Sequence, residues 1–547
     1  MLMQVTPGVE WIFWTVIIVY LAFLAVAGYY AKRKTKTLED YMVAGRKIGP
    51  LLLGLSFGVT YFSAVMIVGG GQFSWLWGIG VVWVATIDVL VGVFLIFILF
   101  GTKTKALGKH FESLTVPQFL SKRYQEPKIQ TFTSVVILIF ETIYLVSIYM
   151  GLSLLLSVAF PDQPWAYTAA VVICSIITIF YLNVGGAHGA IWTDAAESLI
   201  MLIGVVLIFI FGIMAVGGFD AFLGTLGEIE AREGMPNRSL RTFPGAGGFG
   251  VIGYILVTSF GVWGMPQMIT RFYTAEKQRS IRWGLVAGCT WAFIVAIFAW
   301  FNGAIARAYF FKNDINTYNS IAAGAGESAV PMLMIFVLPP ILVGLFLAAV
   351  TAASLTTGEK VIMIAASGFS IDVYQAKTGA SDDRTLFITK ITTIVIVVLA
   401  AFLALLKPAA VLALCMFAWS AMAATILIPY VFGLFWKGGT SKAVLWSGVI
   451  SLIGTVFWFI LFRPDAPRAW AAFGFSYPGF LGAIARLPVL ATPWFVITIG
   501  SIHEFILSQV LALIAFPIVS ILTKDSKPSN EFLSEIFAIM KKSKTEA

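Results

Sequence analysis

The sequence predicts an all-α polytopic membrane protein of thirteen transmembrane helices, in which two sets of five helices run in opposite directions. Three observations carry this expectation. Of the 547 residues, 59% are apolar and 12% charged, against about 25% charged in a soluble domain. Apolar runs of about 20 residues, the length that crosses a bilayer, recur from end to end. Two of these runs, five spans apart, contain helix-breaking residues.

Hydropathy places the span starts near Trp11, Leu51, Ile79, Ile129, Trp165, Ile191, Phe249, Trp283, Pro331, Leu386, Ala409, Ala443 and His503. The first run, Trp11 to Tyr30, is too long for a signal peptide and has no small-residue cleavage site after it. Spans two to six and seven to eleven read as repeats, at about residues 50–217 and 248–436. Five is odd, so the second set enters the membrane from the opposite side, which gives inverted topology. The His503-Glu504 step is a better start for the last span than Trp494. The whole chain, 1–547, reads as one transmembrane domain with a tail over 523–547. In that tail Phe532, Ile536 and Ile539 recur at helical spacing beside Lys541 and Lys542. This suits an interfacial helix, and a solvated tail equally.

The formal charge of +9 reads as topology and not as a nucleic-acid surface. The loops after spans one, three and seven are basic, carrying Lys32 to Lys47, Lys103 to Lys128, and Arg271 to Arg282, as does the tail. The alternate loops hold fewer lysines and arginines, so the basic side is cytoplasmic. The expected N-terminus is outside and the C-terminus cytoplasmic, in a multi-pass plasma-membrane protein. Cys174, Cys289 and Cys415 all fall in apolar runs and read as small buried hydrophobes. His110, His188 and His503 have no metal-ligand spacing.

The breaks are the functional signal. The run Pro50 to Trp77 is interrupted by Gly69-Gly70-Gly71, and the run Phe249 to Phe272 by Trp263-Gly264-Met265-Pro266. Unwound backbone in a membrane is tolerated only inside protein or beside a cavity. Two breaks at matching places in two halves point to a solute site near the midplane. Its expected contacts are Tyr61, Ser63, Ala64, Gly69, Gly70, Gly71, Tyr144, Val262, Trp263 and Pro266. Aromatic walls with a few polar groups suit a small organic solute, and half-helix N–H groups suit a carboxylate. Asp88, Glu141, Glu197 and Glu359-Lys360 are charges within spans. Each costs at least ~2.5 kcal/mol on insertion scales, and such groups mark ion paths or pair with one another. Lys360 stands four residues after Thr356, on the same helical face, where its ammonium would compete with a cation.

Several segments resemble the sodium:solute symporter family. Gly185-Gly186-Ala187-His188-Gly189-Ala190-Ile191-Trp192-Thr193-Asp194 resembles its entry to the sixth span. Gly264-Met265-Pro266-Gln267-Met268-Ile269-Thr270-Arg271-Phe272 resembles its seventh, and Ala352 to Tyr374, ending Ser370-Ile371-Asp372-Val373-Tyr374, its ninth. Asp40-Tyr41-Met42-Val43-Ala44-Gly45-Arg46 resembles the family's linker. The resemblance implies a leucine-transporter-like five-plus-five inverted repeat with one extra N-terminal and two extra C-terminal helices. It implies no enzyme, but sodium-coupled symport of an amino acid such as proline, or of a monocarboxylate, by alternating access. Thr356 and Thr357 match the family's paired sodium-binding hydroxyls, and family spacing adds the carbonyls of Val59, Phe62 and Ala353. Asp194 either guides sodium or is a helix-end carboxylate. Where proline transporters carry an acid and a tyrosine, this chain has Tyr61 and Val262, which puts proline in question. Proton coupling through Lys360 or the intramembrane acids is the alternative on the same fold.

Overall fold

The structure, a computed structural model, describes residues 48–545 apart from 62, 158–159, 161–162, 183–185 and 492–495, with isolated positions before residue 48. The expected first span, and nearly all of the linker from Asp40 to Arg46, lie outside the described residues. So do Phe62 and the side chains of Val59, Tyr61 and Asp194.

The chain is helical almost throughout. The elements are α1 (Pro50–Tyr61), α2 (Ala64–Trp77), α3 (Ile79–His110), α4 (Val116–Tyr124), α5 (Pro127–Ser157), α6 (Ala166–Leu182), α7 (Gly186–Val216) and α8 (Phe219–Arg232). After a loop come α9 (Gly250–Gly264), α10 (Pro266–Thr274), α11 (Gln278–Asn313), α12 (Ile315–Ala323), α13 (Ala329–Val337) and α14 (Pro340–Thr378). The chain closes with α15 (Asp382–Leu406), α16 (Val411–Phe435), α17 (Ser441–Phe462), α18 (Glu504–Leu522) and α19 (Asn530–Thr545). One antiparallel strand pair, Pro488–Ala491 with Val496–Thr498, sits in the loop before α18.

Among the described residues nine helices are long and apolar enough to cross a bilayer, and the pair α9–α10, bent by 46°, is a tenth span. The shorter α1–α2 pair and α6 stand where spans two and five are expected. The order of spans is therefore recovered, while their number remains an expectation. The ninth span begins later than Pro331: Ala329–Val337 is a separate helix, Leu338 is extended, and the long helix opens at Pro340. Proline in a helix's first turn sacrifices no hydrogen bond, so Pro331 fits the first turn of α13 and Pro340 opens α14. The last span starts as expected, with the His503 side chain accepting from Phe505 N at 3.2 Å.

Burial sorts the helices into a centre and a rim. The spanning stretch of α16 is wholly buried and that of α14 is 81% buried, against 28% for α15. The outward faces carry Phe387, Val395 and Phe402, a surface that would aggregate in water and is matched to lipid.

Close helix crossings set the centre's geometry. A Cβ at Gly303 of α11 would lie 1.9 Å from the Gly71 carbonyl oxygen, and one at Gly54 of α1 would lie 2.4 Å from that of Gly284. Both halves of the first broken helix thus lie backbone-to-backbone on α11. Small residues at such crossings are what lets membrane helices approach.

Candidate functional site

The first break is real but lies seven residues before the expected place. α1 ends at Tyr61 and α2 begins at Ala64, with Ser63 extended at its N-cap. Gly69, Gly70 and Gly71 are buried inside continuous helix. A Cβ at these positions would meet Leu412 at 2.6 Å, Trp300 at 2.9 Å and Val330 at 2.3 Å. The triplet is smooth for packing on three neighbours at once, and it does not unwind the chain.

The N–H groups after the break are already engaged. Ser354 Oγ of α14 accepts from Ala64 N at 2.9 Å, and Ser63 Oγ accepts from Val65 N at 3.3 Å. Met66 N donates to Ser63 O at 3.0 Å. The expectation of open half-helix N–H groups is therefore corrected: the first turn of α2 is capped by hydroxyls, as helix starts commonly are.

Ser63 also faces α5. The Tyr144 hydroxyl lies against the Ser63 side chain, and the Tyr144 ring meets Trp419 of α16 edge-on at 5.7 Å. One turn earlier on α5, Glu141 is fully buried, and its carboxyl oxygens have no hydrogen-bond partner among the described residues. Cys415 of α16 lies close enough to Glu141 to feel its charge, and its thiol meets the Ser147 side chain. Ser63, Ala64, Tyr144, Glu141, Cys415 and Trp419 therefore form one buried cluster at the first break.

The hydroxyls of the ninth span reach the same region. Thr357 Oγ1 donates to Ala353 O at 2.7 Å. Thr356 Oγ1 donates to Glu197 Oε2 of α7 at 2.8 Å, with a longer contact to Ala353 O at 3.2 Å. Threonine back-bonding to its own helix is ordinary; the carboxylate facing Thr356 is not. Two hydroxyls, a main-chain carbonyl and a buried carboxylate are hard oxygen donors of the kind a small cation takes. Glu359 and Lys360 follow on the same helix and are both buried.

The second break is where it was expected. Val262–Gly264 forms a 3-10 turn, Met265 is extended and Pro266 opens α10. A Cβ at Gly264 would lie 2.9 Å from Ala423 Cα, so this break rests on α16, as the first does through Tyr144 and Trp419. Trp263 Nε1 donates to Val91 O at 3.1 Å, and its ring packs on Phe100 and Phe260 at 4.9 Å each.

The structure thus joins Ser63, Ala64 and Tyr144 with the α14 hydroxyls, and holds the turn of Val262, Trp263 and Pro266 against α16 at Ala423, one turn further along from Trp419. Sequence reasoning placed the span that is α16 but gave it, with Cys415 and Trp419, no part in the site, and it took Glu141 and Glu197 only as ion-path or proton-carrying candidates among the intramembrane acids. An all-apolar helix marks burial in a soluble protein, but here every span is apolar and that signal vanishes.

Two helices broken inside the membrane, arranged around buried hydroxyls and a fully enclosed helix, define a secondary transporter. Residues 41–451 match the model of the sodium:solute symporter family. The chain is 25% identical over 445 residues to the osmoregulated proline transporter OpuE of Bacillus subtilis, covering 80% of this chain and 87% of the relative. It is 26% identical over 444 residues to the sodium/pantothenate symporter of Haemophilus influenzae, covering 80% and 88%. It superposes on a sodium-coupled sialic acid symporter with a TM-score of 0.67 at 18% identity, covering 92% of this chain and 97% of the other. The chain belongs to the sodium:solute symporter family. It is a multi-pass plasma-membrane symporter with the leucine-transporter-like fold, it is not an enzyme, and it couples sodium to a small organic solute.

Proposed function

We propose that the solute is a small amino acid such as proline, taken into the cell with sodium, and that it binds at the first break between Ser63, Tyr144 and Trp419. The observation that carries this reading is Glu141, a buried carboxyl without a hydrogen-bond partner among the described residues, one turn from Tyr144. A lone carboxyl in low dielectric calls for a cationic group or a proton. An ammonium-bearing solute supplies the first, and a monocarboxylate would be repelled. The proline transporters among the relatives favour the same choice. Glu141 supplies from α5 an acid that those proteins, by resemblance, carry at the position of Tyr61.

Sodium binds at Thr356, Thr357 and the Ala353 carbonyl, with Glu197 behind Thr356 and the carbonyls of Val59 and Phe62 completing the shell. Val262 and Pro266 shape the far wall, and Asp194 lies on the ion's inner path. Gly69 to Gly71 hold α2 against its neighbours. The core bundle rocks around this site, with the N-terminus outside and the C-terminus cytoplasmic. Sodium binding favours the outward-facing state by differential affinity.

The test is uptake of radiolabelled amino acids and short carboxylates by proteoliposomes, with sodium and proton gradients imposed separately. Sodium-driven uptake of an amino acid, lost in Glu141→Gln at normal expression, is the expected result. Uptake confined to carboxylates lacking an amine, or driven by a proton gradient without sodium, rejects it.

A further inference from the structure

The connection between α17 and α18 has the composition of a membrane surface and not of a loop in water. Residues 469–502 carry one charged side chain, Arg486, where a soluble chain carries about one residue in four. The other long loop at this end of the molecule, 217–249, has seven between Asp220 and Arg241. That loop leads into α9, whose Tyr254 hydroxyl accepts from Arg463 Nη2 at 3.1 Å, just past the end of α17. Two loops at one end of the molecule thus differ in kind.

The structure turns the apolar residues of this connection outward and its charged residues inward. Phe473, Phe475 and Phe480 are 56%, 66% and 65% exposed, and Leu487, Val489 and Leu490 are exposed as well. Phe480 lies on the short helix Gly479–Ala485, and Val489 and Leu490 lie on the strand Pro488–Ala491. Arg463 instead donates to Gly500 O at 3.2 Å and Arg468 Nε to Lys407 O at 2.9 Å. The outward surface continues a lipid-facing one. Trp446, Ile450, Ile453, Phe457 and Ile460 are exposed on α17, at the spacing of a single helical face. At the end of this stripe Trp470 Nε1 donates to Ile460 O at 3.0 Å, and the Tyr477 hydroxyl donates to Leu461 O. The two rings meet edge-on at 5.9 Å. Tryptophan and tyrosine gather where lipid meets water.

We propose that this segment is a lipid-binding surface, with Phe473, Phe475, Phe480, Leu487, Val489 and Leu490 seated among the acyl chains of the leaflet at that end of α17. An exposed apolar patch marks a site of interaction, and an apolar face that lies in a membrane interface enters it by about 5–10 Å. Lipid is the occupant because the patch joins the lipid face of α17 through Trp470 and Tyr477 and because the segment is so nearly free of charge. The one charge, Arg486, is exposed, and its aliphatic stem lets the guanidinium reach the headgroups. The inference rests on the membrane location alone and not on the solute or the sodium ligands.

The test uses the full-length protein in proteoliposomes with a nitroxide spin label as the probe. Cys174 and Cys415 are buried, so Cys289→Ala alone gives a parent of low background labelling. Phe475→Cys, Phe480→Cys and Val489→Cys are then labelled singly. Phe457→Cys, on the α17 stripe, is the lipid reference, and Lys377→Cys, exposed at the end of α14, is the water reference. Spin relaxation is measured with oxygen, which concentrates in lipid, and with a nickel chelate, which stays in water. A size-exclusion profile matching the parent's shows that each variant is folded. The three labels are expected to relax faster with oxygen than with the chelate, as at Phe457 and opposite to Lys377. Faster relaxation by the chelate at all three places the segment in water and overturns the proposal. Slow relaxation by both agents also overturns it, because the surface is then covered by protein. Spin–spin broadening that disappears on dilution with unlabelled protein identifies that cover as a second copy, and its absence identifies another segment or partner.

Discussion

Thr356 and Thr357 show how little a side-chain type says without its surroundings. Both hydroxyls bond to the Ala353 carbonyl, and Thr356 also meets a carboxylate, Glu197, at 2.8 Å. Replacing both by alanine should raise the sodium concentration for half-maximal uptake about tenfold or more, with solute affinity at saturating sodium little changed. Sodium titration of uptake checks this, and an unchanged sodium dependence rejects the assignment. The pairing of Thr356 with Glu197 was invisible in the sequence because the two lie far apart along the chain and are joined only by packing of α7 on α14. Outside the membrane, Glu230 anchors the loop after α8. It accepts from Leu240 N at 2.7 Å, Arg238 N at 2.9 Å and Arg241 Nη2 at 2.7 Å. Burial alone would raise its pKa, but Arg241 and the two N–H groups outweigh burial and hold it below the usual carboxylate value. A depressed carboxyl stabilises the fold above its unfolded pKa, near ~4.3, and this contribution is lost as pH falls through the lower folded value. Glu230→Gln should therefore lower the melting temperature near neutral pH, and the difference from wild type should shrink in acid. A difference that persists unchanged in acid would contradict the sign.

At the scale of elements, the two breaks contrast in how they are written. Trp263-Gly264-Met265-Pro266 announces itself, because proline forces the preceding residue out of helical geometry. Phe62-Ser63 does not, since the only local hint is a serine before an apolar run, an N-cap signature. The Gly69–Gly71 triplet drew the reading away because glycine serves two physical ends, unwinding and close approach, and the sequence does not say which. The structure says close approach, and this changes the expected phenotype. Gly70→Leu should impair folding through a clash with Trp300, not merely block a solute. Gly303→Ala is the sharper case: its methyl would fall 1.9 Å from the Gly71 carbonyl oxygen, so α2 and α11 must part. A destabilisation of about 1–3 kcal/mol is expected for such overpacking, read as a drop in melting temperature in detergent. An undisturbed melting curve would mean that this crossing is loose. α16 has its own anchor, with Asp465 Oδ1 accepting from Ala410 N at 2.9 Å. Negative charge at a helix N-terminus is favourable.

Across the whole molecule, hydropathy recovered the order of spans, because a bilayer demands long apolar helices whatever their partners. It did not recover which helix lies at the centre, since α15 and α16 are equally apolar yet face lipid and protein respectively. Nor did it separate a lipid-bound tail from a docked one. α19 buries Leu533, Ile536 and Met540 and lies along the end of α3. Phe537 there meets Arg123 and Lys437, and His110 stands 3.7 Å from Glu535. Truncation before Ser529 should leave insertion intact but lower the melting temperature, because each of three buried apolar side chains contributes about 1.5–3 kcal/mol. An unchanged melting temperature in the truncated protein would show that the tail's contacts are dispensable. The first broken helix carries a wider consequence. Both of its halves are fastened to the same partner: α1 at Gly54 and Gly284, α2 at Gly71 and Gly303. Arg307 near the end of that partner also holds the carbonyl of Trp75, at 2.7 Å. A fracture splinted along both fragments keeps its shape. The break between Tyr61 and Ala64 is then no hinge but a fixed joint, carried whole by α11, and the motion that moves a solute across the membrane must slide along the outer edges of that splinted unit.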